Sequence, residues 1–451
     1  MSEILDELAR YAENEMNSAP SDEALHHAKR AAVDWFAALY PGTATPVTRR
    51  LVQAHARETG AGRSSLPGFG ATAFPATAAW INGTASHAAE FDDIFRDAVY
   101  HPGSPTIAAA LAVAEDEGRS GLDLLKSIIV GYEISTRIGA AVQPSHYRFF
   151  HTTGTVGCFG AAAAGAALIG AGDRTVTRHA LAIAATFASG LQQAFRSDSM
   201  TKALHGGHAA SVGVTSAKAA LAGITGALDI LEGAAGFGAA MSKGAVWSRA
   251  TDGLGRHYNI TQITQKNHGC CGHTFAAIDA IVLLRPEIGA VDPESVDAIV
   301  VDTYQTAIDV TGNFEPRTAN EARFSLPYVV CHALLYDSVR LDAFADQRLS
   351  DQRIRGLMPR VSLASDPELT AGFPGMRAAR VRIVMRDGRT FEHFSPHRKG
   401  DPEAPLTDSE LDEKFEELVS PVIGTPRAAE LRRKLWRLDK HALADLDLAS
   451  K

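Results

Sequence analysis

Gly160-Ala-Ala-Ala-Ala-Gly-Ala-Ala167 is a run with no side chain larger than a methyl group. Side chains this small let neighbouring helices approach closely, so the segment reads as a central helix packed on all sides. At Gly160 to Gly170 it is far too short to span a bilayer, which takes about 20 apolar residues. Working outward, Ala24–Tyr40, Thr106–Glu117, Leu122–Ile138 and Ala209–Leu221 place apolar residues at helical spacing. Ser21-Asp22 and Ser120-Gly121 read as helix starts or turns. Residues 1–265 are therefore expected to form one large all-helical domain.

The pattern changes near residue 266. Val296-Asp-Ala-Ile-Val-Val-Asp-Thr-Tyr304 and Ala379-Arg-Val-Arg-Ile-Val-Met385 are strand-like, the second alternating basic and apolar residues. Arg386-Asp-Gly-Arg389 reads as a hairpin turn into Thr390-Phe-Glu-His-Phe394, and Tyr328–Tyr336 as a helix between strands. A smaller α+β domain over 266–397 follows. His397-Arg-Lys-Gly-Asp-Pro-Glu-Ala-Pro405 marks the return to helix, with Thr407–Leu418 and Arg427–Leu438 rejoining the large domain as 398–451. The expected class is mainly α, a large all-helical domain plus a smaller α+β domain.

Bulk properties narrow the function. The 451 residues are 45% apolar and 21% charged, enough for a large core under an ordinary surface. A formal charge of -8 without a Lys/Arg block argues against a nucleic-acid partner. Small anionic substrates must then be met by a local cluster of cations. Four cysteines, two of them adjacent, make no disulfide framework and point to a reducing cytosol. The acidic, amphipathic start, Met1-Ser-Glu-Ile-Leu-Asp-Glu, is unlike a signal peptide. The expectation is a cytoplasmic protein without membrane attachment.

No glycine-rich nucleotide loop follows a strand, and no Gly-x-Ser-x-Gly elbow occurs. Asn-His268-Gly-Cys-Cys-Gly-His273 invites a zinc reading, but neighbouring cysteines share one ion poorly. No metal and no cofactor are expected.

Four segments concentrate ionisable groups among small residues. His87 to Ser104 holds Glu90, Asp92, Asp93, Arg96, Asp97 and His101, where carboxylates could orient His101 or a nearby lysine, or simply cap the next helix. His146-Tyr-Arg-Phe-Phe-His-Thr-Thr-Gly-Thr155 places Tyr147, Arg148, His151 and Thr152 at the entry of the small-residue helix. Free backbone N–H groups there suit an anion; helix capping accounts for the threonines but not for the His and Arg. Arg196 to His208 carries Lys202, His205 and His208 at three-residue steps, on one face if helical, while Gly206-Gly207 suggests a turn instead. A lysine beside histidines has its charged form disfavoured and becomes a usable base. Gln265 to Thr274 brings Lys266 as a cation and His273 as a cap for the next helix, at a domain boundary of the kind that binding sites favour.

His151-Thr-Thr-Gly-Thr, Lys202-Ala-Leu-His205-Gly-Gly-His-Ala-Ala, Leu231-Glu-Gly, Lys266 before Cys-Cys-Gly-His-Thr, and Ala322-Arg-Phe-Ser-Leu-Pro-Tyr328 together resemble the MmgE/PrpD family, over about residues 5–440. That family includes 2-methylcitrate dehydratase, cis-aconitate decarboxylase and iminodisuccinate epimerase. The resemblance implies two domains of the kind described, a homodimer, an interdomain active site and no iron–sulfur cluster. It places site residues at His101, His151, Lys202 and Lys266. The family's acidic stretch ending in Thr-Trp is here Glu90-Phe-Asp-Asp-Ile-Phe95, with Glu90 for Asp and Ile94 for the threonine, and with His101-Pro-Gly103 one residue further on.

The expected reaction is removal of a proton next to a carboxylate on a small di- or tricarboxylic acid. Cations and donors must hold the charge that develops, at about 3 kcal/mol each in a dry site. Lys266, Arg148 and the Thr152–Gly154 helix entry are assigned that task. His151 or Lys202 takes the proton, and His101, steadied by Glu90 or Asp93, is the second acid/base. Loss of the threonine hydroxyl tilts the expectation toward epimerisation of an iminodisuccinate-like amino-dicarboxylate. A dehydratase or decarboxylase on a citrate- or aconitate-like acid comes next, then a carboxylate-binding protein without turnover.

Overall fold

The computed structural model describes residues 3–195, 199–373 and 375–450. The chain divides into two compact units, Met1–Gln265 with Thr407–Lys451, and Lys266–Leu406. The chain returns to the helical unit at Thr407, not at 398. The connecting loop is tied into the second unit: the Arg398 guanidinium, fully buried, donates to Asp401 at 2.9 and 2.7 Å, and Lys399 N donates to Asp279 at 2.7 Å.

The first unit is built from helices whose starts were legible. Ser21 caps the Asp22–Thr43 helix by accepting from Ala24 N, and Ser120 with Asp123 forms a capping box on the Gly121–Val142 helix. The small-residue helix, Gly157–Ile169, is buried through Leu168 and packs against the 103–116, 121–142 and 201–221 helices. The stretch 152–169 is long and apolar enough to cross a membrane by length and composition alone, yet 94% of it is buried inside the protein. That is the environment of a core helix.

Two details depart from expectation. Gly206-Gly207 is no turn: the helix Thr201–Leu221 runs straight through it. A Cβ on Gly207 would stand 2.1 Å from Trp80 O and 2.3 Å from Thr84 Oγ1, so the glycine exists to let this helix lie on the Pro75–Ala88 helix. A short antiparallel hairpin, β1 (Ser64–Leu66) and β2 (Ala71–Ala73), also forms, reversing through Gly68 and Gly70 at φ +82° and +63°.

The second unit centres on four strands, β3 (Val296–Thr303), β4 (Val361–Ser365), β5 (Ala379–Met385) and β6 (Thr390–Ser395), in the order β4-β3-β5-β6. β3 pairs parallel with β4 and antiparallel with β5, and the β5–β6 hairpin turns at Gly388 with φ +91°. On β5 the apolar residues Val381 and Ile383 are buried while Arg380 and Arg382 are exposed, as the alternation requires. Strand β4 went unread because its Val-Ser-Leu-Ala-Ser sequence lies largely exposed at the sheet edge and shows no apolar alternation. The helices Phe275–Ile288 and Leu326–Tyr336 complete the core of this unit.

Candidate active site

In the first unit, four histidines from three separate stretches meet. His87 ends the Pro75–Ala88 helix, His101 precedes the Gly103–Asp116 helix, His151 precedes the short Thr152–Thr155 turn of helix, and His205 sits on the first turns of Thr201–Leu221. The His151 ring stacks on His87 with centroids 5.4 Å apart, and lies 5.1 Å from His205 and 6.4 Å from His101. His151 Nδ1 is 2.9 Å from His205 Nδ1. Burial, together with the neighbouring histidines and Lys202, holds His151 well below the ordinary imidazole range. His205, for the same first reason, is pushed down to about 4. Both rings are therefore neutral near pH 7 and can take up a proton or pass one on.

Lys202, one turn before His205, forms an ion pair with Glu90. Glu90 terminates its helix with φ +63°, a left-handed conformation that costs a non-glycine residue about 1 kcal/mol. The strained turn reverses the chain so that Glu90 reaches Lys202 while Asp92 and Asp93 fall back under the histidines.

Of the two residues expected to steady His101, Asp93 does so, through its backbone rather than its carboxylate. His101 Nδ1 donates to the backbone carbonyl of Asp93 at 2.8 Å and stands 3.4 Å from Asp92 Oδ2. In the neutral ring, that bond leaves Nε2 as the lone-pair nitrogen. The Asp93 carboxylate instead accepts from Tyr132 OH at 2.7 Å and Gly103 N at 2.9 Å. Burial pushes it up to about 7 against the pull of the Tyr132 hydrogen bond. A Cβ at Gly103 would approach Tyr132 OH and Asp93 Oδ1 to 2.8 and 2.9 Å, so only glycine fits beside this carboxylate without displacement.

The helix entry itself lies at the Thr152–Thr155 turn, directly after His151. Thr152 is buried, and its hydroxyl accepts from Gln143 Nε2 at 3.0 Å, so it braces the loop. Thr153 Oγ1 accepts from His101 N at 3.3 Å, tying the second histidine stretch to the first. Arg148 is exposed, with its guanidinium 5.1 Å from the Phe149 ring centroid, so its charge stands at the surface. Tyr147 is half-buried, its N donating to Gln143 Oε1 at 3.3 Å. Residues 196–198 of the third segment lie outside the described residues.

In the second unit, Lys266 is buried. His273 does not cap the following helix, whose N-cap is Thr274. Its Nδ1 is 2.6 Å from Tyr304 OH, and burial with Arg377 and Arg398 nearby pushes it down to about 3. Cys270 Sγ lies 3.2 Å from Thr274 Oγ1, and His268 Nε2 2.9 Å from Asp279 Oδ1.

Sequence reasoning missed His87 and Tyr132 as site-building groups, and named Asp92 only among the carboxylates of its segment. His87 and Asp92 stood in view, but their five-residue spacing fits no regular element, because the chain reverses at Glu90. Tyr132 lies mid-helix, 39 residues from Asp93, without any local signal.

Residues 6–250 match the MmgE/PrpD N-terminal domain and residues 268–440 the MmgE/PrpD C-terminal domain. The chain is 28% identical over 451 residues to a cis-aconitate decarboxylase-like protein of Aspergillus oryzae, covering 94% of this chain and 92% of that one. It is 28% identical over 417 residues to the cis-aconitate decarboxylase of Homo sapiens, covering 90% and 85%. With the cis-aconitate decarboxylase of Aspergillus terreus the identity is 25% over 462 residues, covering 97% and 94%.

Proposed function

The chain belongs to the MmgE/PrpD family, and from that premise we propose that it is a lyase acting on a small tricarboxylic acid of the cis-aconitate type, by proton transfer at a carbon near a carboxylate. The supporting observation is the buried, neutral pair His151–His205 beside the Lys202–Glu90 ion pair. Relatives named as cis-aconitate decarboxylases, matched over nearly their whole length, support the substrate class.

In such a decarboxylation the C–C bond to one carboxylate breaks and CO2 leaves. The freed electron pair moves through the double bond, and the carbon at its far end takes a proton. The histidine group supplies that proton and is re-protonated from solvent after CO2 and the product leave, and Lys202 holds a retained carboxylate. The proposal extends to Lys266 and His273, in the second unit, as further carboxylate-holding groups, on the strength of their sequence context. Lys266→Ala is expected to raise KM about tenfold or more, with folding unchanged; normal turnover would remove its role. We take the working protein to be a homodimer, which light scattering tests.

Epimerisation of an iminodisuccinate-like amino-dicarboxylate is the second reading, favoured by Ile94. That residue is buried, and its backbone N and O pair with Thr264 at 2.9 and 2.8 Å, so no hydroxyl stands where the family pattern has threonine. Proton NMR in deuterated buffer separates the two. Decarboxylation of cis-aconitate gives CO2 and a deuterated alkene product. Label uptake at the α-carbon of an amino-dicarboxylate, without CO2 or a new alkene, reverses the ranking. Binding of either acid without turnover identifies a carboxylate-binding protein.

A further inference from the structure

His87 is 1% exposed, and its Nδ1 stands 2.6 Å from Asp92 Oδ2. The same carboxylate oxygen accepts from Ser104 Oγ at 3.0 Å, so Asp92 is fixed from a second element. A carboxylate at this distance takes the Nδ1 hydrogen, which commits neutral His87 to one tautomer and leaves its Nε2 as a bare lone pair. That Nε2 is buried and has no hydrogen-bond partner. Leaving a buried acceptor unsatisfied weakens the fold. Here it sits inside the histidine group: the His87 ring stacks on His151 at 20° and meets His101 edge-on, with centroids 5.2 Å apart. The Thr201–Leu221 helix closes the third side, where a Cβ on Gly206 would come within 3.4 Å of His87 Cβ.

We propose that His87 is a further positioning residue of this site: fixed in one tautomer by Asp92, it holds His151 and His101 in the orientation and charge state that proton transfer needs. The inference rests on the proton-transfer reading above. The titratable groups around His87 are Asp92 and His101 from the stretch after its own helix, His151 ahead of the 152–155 turn, and His205 with Lys202 from the 201–221 helix. Within that set, the His87 N–H partly neutralises the buried Asp92 charge facing the other rings. Take His87 away and the carboxylate acts on its neighbours unshielded, favouring their protonated forms.

His87→Phe keeps a ring of similar size and removes both nitrogens. With cis-aconitate as substrate, kcat is expected to fall about 100-fold while KM stays within about threefold, and the acid limb of kcat/KM to rise by about one pH unit. Adding Asp92→Asn removes the uncovered charge and returns the limb toward its original position, which a merely space-filling role would not do. A folded His87→Phe enzyme with the parent kcat and pH profile overturns the proposal. Should that variant fail to fold, 15N NMR of the unmodified protein decides: a protonated Nδ1 with a bare Nε2 on His87 supports it, and the opposite tautomer overturns it. If the parent enzyme turns over no carboxylate at all, the proposed function fails, and the nitrogen spectrum still tests the His87–Asp92 pair.

Discussion

The Nδ1 atoms of His151 and His205 stand 2.9 Å apart, with both rings buried. One hydrogen lies between them, so the two rings hold opposite tautomers. The donor ring keeps a lone pair at Nε2, and the acceptor ring carries its own hydrogen there. A pair built this way presents one base and one acid at neutral pH without either ring being charged. His151→Gln and His205→Gln are each expected to lower kcat about 10²- to 10⁴-fold. Steady-state CO2 release measures this, and an unaltered kcat in either variant removes the pair from the reaction.

The pH profile follows from the same burial. His205 is pushed down to about 4 and His151 falls well below its ordinary range. Both stay neutral as pH drops through 6.5. We expect kcat/KM to show no imidazole limb between pH 6 and 7 and to fall only toward pH 4. A limb at 6–7 that disappears in His205→Gln would contradict the burial argument.

Lys202 and Glu90 should act as a unit. Lys202→Met leaves Glu90 without its ion pair, and Glu90→Gln loosens the ammonium. Each lowers kcat/KM, and the double variant is expected to lose less than the sum, with a coupling of about 1 kcal/mol or more. Additive losses would show that the two side chains work separately.

Gly207→Ala is expected to destabilise the protein by about 3 kcal/mol or more, because its Cβ would run into the Trp80 carbonyl, a backbone atom that cannot swing aside. Chemical denaturation reads the effect. A parent-like midpoint would mean that the two helices separate more easily than their packing indicates.

Asp93 gives stability an opposite slope to the histidines. Its folded value of about 7 lies above the ordinary carboxylate value, so the folded state holds a proton that the unfolded chain has lost between about pH 4 and 7. Its contribution is full below about pH 4 and is lost as pH rises through 7. The depressed histidines do the reverse, losing stability as pH falls from 6.5 toward 4. Asp93→Asn should therefore gain on the parent protein as pH rises from 4 to 7, by about 4 kcal/mol at most. Parallel stability curves for the two proteins would exclude a protonated Asp93.

Much of the fold was readable because it rests on local rules. Helix starts followed Ser21 and Ser120, and β5 followed its alternation of Arg with Val and Ile. Of the site, His101, His151, Lys202 and His205 stood out as ionisable residues among small ones. Arg148 and Thr152 stood out equally, yet one is exposed and the other braces Gln143. Sequence spacing says which residues share a helix face. It does not say whether that face meets solvent or a neighbouring chain segment.

Period and capping act within a few residues, so a mainly helical chain with an α+β insertion is written in the order of its residues. The tautomers, the partner of each carboxylate and the inclusion of His87 were set by packing in three dimensions. Those depend on atoms within 3–4 Å of one another, in pairs that range from 5 residues apart (His87 and Asp92, across a chain reversal) to 112 (Glu90 and Lys202), and no local pattern records such a meeting.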